Sequence, residues 1–158
     1  MEGRTVELHE WLLFFHILGS IIWVGAVIVQ NAVMARASRA PDRTAVLRLS
    51  AELEWIGPWL IGPSSLVVIG LGIWLVLLEE WAAFSQPWIW LSLVLVAVST
   101  IQGIYSGTEG KRISRLADER GIEDGEVRDR LSRLLWLARL DILILVVVLW
   151  LMVFKPGV

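Results

Sequence analysis

The sequence contains no cysteine. That excludes disulfides, thiolate metal sites and thiol nucleophiles, and leaves the redox compartment undetermined. Histidine is nearly as scarce, with only His9 and His16, and beyond the initiator the methionines are Met34 and Met152. No serine–histidine–acid set, glycine-rich phosphate loop or HExxH pattern occurs, so no catalytic constellation emerges and the reading leans away from an enzyme. What the chain has in excess is apolar surface. Of its 158 residues 56% are hydrophobic, ten are tryptophan and the mean hydropathy is +0.68. An ordinary soluble domain carries far less.

Four apolar segments account for this composition. They run over about 11–34, 57–78, 88–107 and 134–154, each close to the ~20 residues that cross a hydrocarbon core as a helix. The first is too long, starts too late and lacks the basic lead and small-residue cleavage site of a signal peptide. The expected fold is therefore all-α: a single four-helix transmembrane bundle over 1–158, with connections at 35–56 and 108–133. Charge predicts its orientation. Twelve of the fourteen basic residues fall in or beside those two connections, leaving Arg4 and Lys155 near the termini. Positive-inside then places both connections in the cytoplasm and both termini outside, in a multi-pass protein of a bacterial inner membrane. Trp11, Trp74, Trp81, Trp88, Trp90 and Trp150 fall at one set of span ends, and Trp55, Trp59 and Trp136 at the other, as two interfacial belts. Trp23 alone sits mid-span.

The first basic connection predicts a short amphipathic helix through Val46, Leu47, Leu49, Ser50 and Leu53, capped by Asp42 or Thr44. Pro58 suits the start of the second span. Gly62-Pro63, one turn later, should kink or open it, with Ser64 and Ser65 answering the freed backbone groups. In the second connection Ile113, Leu116, Ala117 and Ile122 are sparse. From Asp124 onward, Val127, Leu131, Leu134 and Ala138 recur at helical spacing. The fourth helix should begin near Asp124 and project from the membrane, its arginines touching anionic headgroups. Acidic residues neutralise most of this field, which argues against nucleic acid.

Two sets of polar residues lie inside the spans. The outer set is His16, with Ser20, Ser92 and Glu79 or Glu80 as possible neighbours. The inner set is Gln30, Asn31, Gln102, Tyr105, Arg139 and Asp141. Asp141 is the costliest, because a carboxylate at that depth must pair, protonate or reach water. Asn31, Gln102 and Tyr105 are the expected partners. His9 and His16 share a helix face but lie ~10 Å apart along the axis, so one ion cannot be clamped by both. Imidazole is a good ligand for haem iron, copper or zinc, yet a lone membrane histidine is often a hydrogen-bonded helix contact. His9, beside Glu7 and Glu10, reads as solvated, with a metal site at Glu10 or Glu80 left open. Ser99, Gly103 and Gly107, four apart, form a small-residue stripe suited to close helix approach, within the bundle or between copies.

"LHEWLLFFHILGSIIWVGAVI", with His16, Gly19, Trp23 and Gly25, resembles the opening of the domain-of-unknown-function 2269 family of bacterial membrane proteins. The closing "RLDILILVVVLWLMVFKPGV" is similar too, with Arg139, Asp141, Met152 and Lys155-Pro156 matching. That family resembles a wider group holding the copper resistance protein D membrane domain and a haem-associated protoporphyrinogen oxidase family. The kinship implies a four-helix core with a first-helix histidine, and haem b or copper as the cofactors to consider. The oxidases pair their histidine with a membrane lysine, and no lysine lies inside a span here. Three readings follow. The leading one is a non-enzymatic inner-membrane protein holding haem or a metal through His16, with Trp23 beside it and His9 as a further metal candidate, for electron transfer or cofactor handling. The second is an assembly partner packing through the small-residue stripe, as a homodimer or in a larger complex. The third is proton or small-solute transport through Asp141.

Overall fold

A computed structural model of the chain describes residues 2–37, 55–78, 86–121 and 123–156. Among these, every regular element is helical. Helix α1 spans Glu2–Ala37. A π-helical turn, Gly57–Ile61, leads into α2, Gly62–Leu78. Helix α3 spans Pro87–Arg120 and α4 spans Gly125–Phe154. Each of the four carries a segment long and apolar enough to cross a membrane.

Proline and glycine set the punctuation. Helix α1 contains no proline and runs unbroken for 36 residues. Pro87 opens α3 in its first turn, where a missing N–H costs nothing. The expected break at Gly62-Pro63 takes the form of the π-helical turn, in which the Gly62 N–H donates to the Gly57 carbonyl. The serines answer it as the sequence suggested. The Ser64 hydroxyl reaches the carbonyls of Leu60 and Ile61, at 2.5 and 3.1 Å, and Ser65 donates to Gly62 at 2.8 Å. Irregular backbone at membrane depth needs such local partners, because lipid offers none. The amphipathic helix expected after Asp42 or Thr44 lies outside the described residues, as do Glu79, Glu80 and Trp81.

The second connection is not a loop followed by a helix. Helix α3 continues thirteen residues past Gly107 to Arg120, a projection of about 20 Å at 1.5 Å per residue. Gly121, at φ 86°, then turns the chain. Asp124 caps α4, its side chain accepting from the N–H groups of Glu126 and Val127 at 2.9 and 3.3 Å. The apolar residues that look sparse in sequence meet across this hairpin: Ile113, Ala117 and Val127 are buried together, with Leu116 and Leu134 against them. Arg130 staples the hairpin, reaching Glu109 at 2.6 Å across the helix pair and Glu126 at 2.8–2.9 Å on its own helix.

Packing is uneven. Helices α3 and α4 share the most extensive contact, α1 and α2 the next, and α1 and α4 a smaller one; no extended packing joins α2 to α3 or α4. The molecule is thus two helical hairpins joined mainly through α1 and α4. The joint is the apolar cluster Trp23, Val27, Val68 and Leu145, against which Val96 and Ile142 pack.

Val127 is 1% exposed, so Val127→Asp places a carboxylate in the tip of the hairpin where nothing pairs with it. The expected outcome is faster amide hydrogen exchange over residues 110–134, with protection around Ser99 and Asp141 unchanged. Exchange measured in detergent micelles checks this; uniform loss along α3 and α4 would contradict a separately packed tip.

Candidate functional site

His16 is buried in the contact between α1 and α2, and its partner is not a side chain. Its Nδ1 lies 3.0 Å from the Val68 carbonyl. That pairing assigns the proton to Nδ1, because a carbonyl can only accept. Gly72, one turn beyond Val68, makes the approach possible. A Cβ built on Gly72 would stand 3.0 Å from the imidazole Cε1 and 3.4 Å from Nδ1. Gly19 plays the converse part, since a Cβ there would stand 2.9 Å from a Val68 methyl. The two glycines bring α1 and α2 together, and the imidazole fills one of the notches.

Of the neighbours expected for His16, Glu79 and Glu80 lie outside the described residues, and neither Ser20 nor Ser92 bonds to the imidazole. Ser20 donates to the His16 main-chain carbonyl at 2.8 Å, within its own helix. Ser92 is buried, and its hydroxyl has no hydrogen-bond partner among the described residues. Trp23 is 5% exposed and belongs to the apolar joint between the hairpins. His9 is half-buried near the start of α1, and among the described residues no group of three or more histidine, aspartate or glutamate side chains could hold a metal.

The inner polar set does not converge either. Asp141 accepts from the Ser99 hydroxyl at 2.6 Å, a bond between α3 and α4 with both residues buried. The expectation that Asn31, Gln102 or Tyr105 would pair with Asp141 is therefore corrected. Asn31 donates to the Val27 carbonyl one turn back, at 2.9 Å. Gln102 donates across the helix pair to the Leu137 carbonyl. Tyr105 is exposed, and Arg139 is exposed with its guanidinium 5.9 Å from the Trp136 ring. Geometry explains the choice. Ser99 lies twelve residues after Pro87, and Asp141 thirteen before Phe154. In an antiparallel pair they reach the same depth, while Arg139 points to another face.

Ser99 thus belongs to the α3–α4 contact, whereas Gly103 and Gly107 do not. Both glycines are exposed, and a Cβ on either would meet nothing within 4 Å. The stripe divides into one residue spent inside the chain and two that leave bare backbone on the outer surface of α3. The cavity bordered by Ser20, Trp23, Val68, Val96 and Leu145 has a volume of about 20 Å³, room for one water.

Removing one partner of a buried pair costs more than removing both. Ser99→Ala should destabilise the bundle by about 1–3 kcal/mol by leaving the Asp141 carboxyl unanswered, and Ser99→Ala with Asp141→Leu should recover most of that loss. Unfolding in mixed detergent checks this; additive losses in the double variant would contradict a mutual pair.

Comparison with known proteins agrees with the helical pattern. Residues 10–156 match the model of a family described as a predicted integral membrane protein, DUF2269. No curated protein and no solved structure matches the chain. With the match covering nearly its whole length, the chain belongs to the DUF2269 family of integral membrane proteins.

Proposed function

We propose that the protein is a non-enzymatic assembly subunit of the bacterial inner membrane, with its helical hairpin in the cytoplasm and both termini outside. The observation that carries this reading is the use of the intramembrane polar groups. His16, Asn31, Ser99, Gln102 and Asp141 all bond within the chain, which is how a packing unit uses polar side chains in lipid. A transport reading needs polar groups along a wet path. Here Asp141 is engaged by Ser99 on the neighbouring helix. Outside, Gly103 and Gly107 leave a notch on α3 flanked by exposed Ile101 and Ile104. Another membrane helix fits such a notch by close backbone approach.

A second reading keeps His16 as a ligand. Its support is the Nδ1 contact with Val68. Anchoring one ring nitrogen on a carbonyl orients the other, Nε2, as haem and metal sites do. The surroundings fit a haem poorly within one chain. The ring is wedged against Gly72 and 8% exposed, and the interior cavity bordered by Trp23 is far smaller than a porphyrin. A visible spectrum of protein purified from haem-supplied cells, beside His16→Ala, tests this reading. A band lost in the variant would move His16 from helix contact to ligand.

The absence of native cysteine makes the assembly reading directly testable. Ile104→Cys carrying a photoreactive maleimide should capture a protein neighbour in native membranes. Adding Gly103→Leu should remove the adduct while leaving the unfolding transition in place. Gly72→Leu should do the reverse, lowering stability by about 1–3 kcal/mol through overpacking. A wild type that captures nothing would overturn the proposal.

A further inference from the structure

Between the buried tip of the hairpin and the Ser99–Asp141 pair, the joint surface of α3 and α4 is indented. A cleft of about 460 Å³ opens there, bordered by Tyr105 and Glu109 on α3 and by Asp129, Arg130, Arg133 and Leu134 on α4. Glu126 and Leu137 complete it. Most of its charge is already spent. Arg130 is held by Glu109 at 2.6 Å and by Glu126 at 2.8 Å. Three side chains remain without a hydrogen bond or ion pair among the described residues: the Asp129 carboxylate, the Arg133 guanidinium and the Tyr105 hydroxyl. The cleft therefore offers one free charge of each sign, a neutral donor and an apolar floor.

Its depth is fixed by the residues around it. Leu134 opens the apolar run of α4, and Trp136, 70% exposed, marks the interface where tryptophan concentrates. The cleft lies at the level of lipid headgroups. Its chemistry is ordered along α4. Of the two unspent charges, Asp129 lies farther from the hydrocarbon. Arg133 follows four residues, about 6 Å, nearer to it, and Leu134 and Leu137 come next. A phospholipid with a zwitterionic headgroup has the same order, with its ammonium outermost, its phosphate beneath and its acyl chains below.

We propose that this cleft binds a phospholipid bearing a primary ammonium, of the ethanolamine type. The phosphate meets the Arg133 guanidinium and the Tyr105 hydroxyl, and the ammonium donates to the Asp129 carboxylate. The acyl chain leaves along Leu134 and Leu137. The two signs select the class. An anionic lipid without an amine would satisfy Arg133 but face the carboxylates of Asp129, Glu109 and Glu126. A quaternary ammonium has no proton to donate to Asp129. A free phosphate has nothing to place on the leucines. The site is independent of the assembly reading, because Gly103 and Gly107 do not border the cleft.

The experiment is native mass spectrometry of delipidated protein in detergent micelles, supplied in turn with dioleoyl phosphatidylethanolamine, phosphatidylcholine and phosphatidylglycerol. The ethanolamine lipid should be retained about tenfold more strongly than the choline lipid, the scale of one charge-assisted hydrogen bond. Asp129→Asn and Arg133→Gln should each bring its retention down to the choline level, and Arg133→Lys should preserve most of it. The decisive variant is the exchange D129R/R133D. It keeps one charge of each sign but reverses their order, and should lose the preference. Equal retention of all three lipids, preference for the glycerol lipid, or wild-type retention by the exchanged variant would overturn the proposal. All substitutions are at exposed or half-buried positions, and circular dichroism verifies that helix content is kept.

Discussion

Hydrocarbon cannot accept or donate a hydrogen bond, and the interior of this chain is organised around that constraint. The bond between Ser99 and Asp141 is its sharpest expression. A carboxyl group in the middle of α4 is costly unless something answers it. The hydroxyl that answers comes from the neighbouring helix at the same depth, 2.6 Å away. Satisfying the carboxyl therefore also fixes the register of α3 against α4. Gln102 and Leu137 make a second bond across the pair nearer the hairpin tip, and Arg130 with Glu109 adds an ion pair beyond it. Along this seam each polar contact constrains the next, which is why α3 and α4 are the best-joined pair in the molecule.

The first hairpin solves the same problem by another means. Its contact is made by backbone. Gly72 and Gly19 remove the side chains that would hold α1 and α2 apart, and the imidazole of His16 enters one notch to reach the Val68 carbonyl. A carbonyl in a helix keeps a second lone pair after serving the ladder, so His16 can use Val68 without breaking α2. Histidine suits the place for a physical reason. It is flat enough to lie against a glycine, and one tautomer presents a donor without carrying charge into lipid.

The four spans, the proline at the start of α3 and the beginning of α4 near Asp124 were legible in the sequence because they depend on local signals: apolar length, a missing N–H, the onset of helical apolar spacing. The site was legible only in its membership. His16 and Asp141 stood out by cost, but their partners did not. Val68 contributes a main-chain oxygen, which has no sequence signature. Gly72 is one of several glycines, and only the facing helix distinguishes it from Gly103. Ser99 was recognisable as small rather than as a donor; counting depth inward from Pro87 and from Phe154 would have placed it opposite Asp141. The long continuation of α3 was missed for a related reason. Ile113 and Ala117 are too few to define an apolar face until Val127 and Leu134 meet them from α4.

The unequal joints have a further consequence. The two hairpins meet through the apolar side chains of Trp23, Val27, Val68 and Leu145. In water such a cluster is held by the hydrophobic effect. In lipid that force is absent, because acyl chains are as apolar as the side chains they replace. Packing alone then holds the hairpins together, with a void of about 20 Å³ beside the cluster. Each hairpin carries its own polar lock, and the cluster between them is built of apolar side chains. The α3–α4 cleft and the Ser99–Asp141 pair both lie within the second hairpin, and the notch that receives His16 lies within the first, so each polar contact serves the helix pair that forms it.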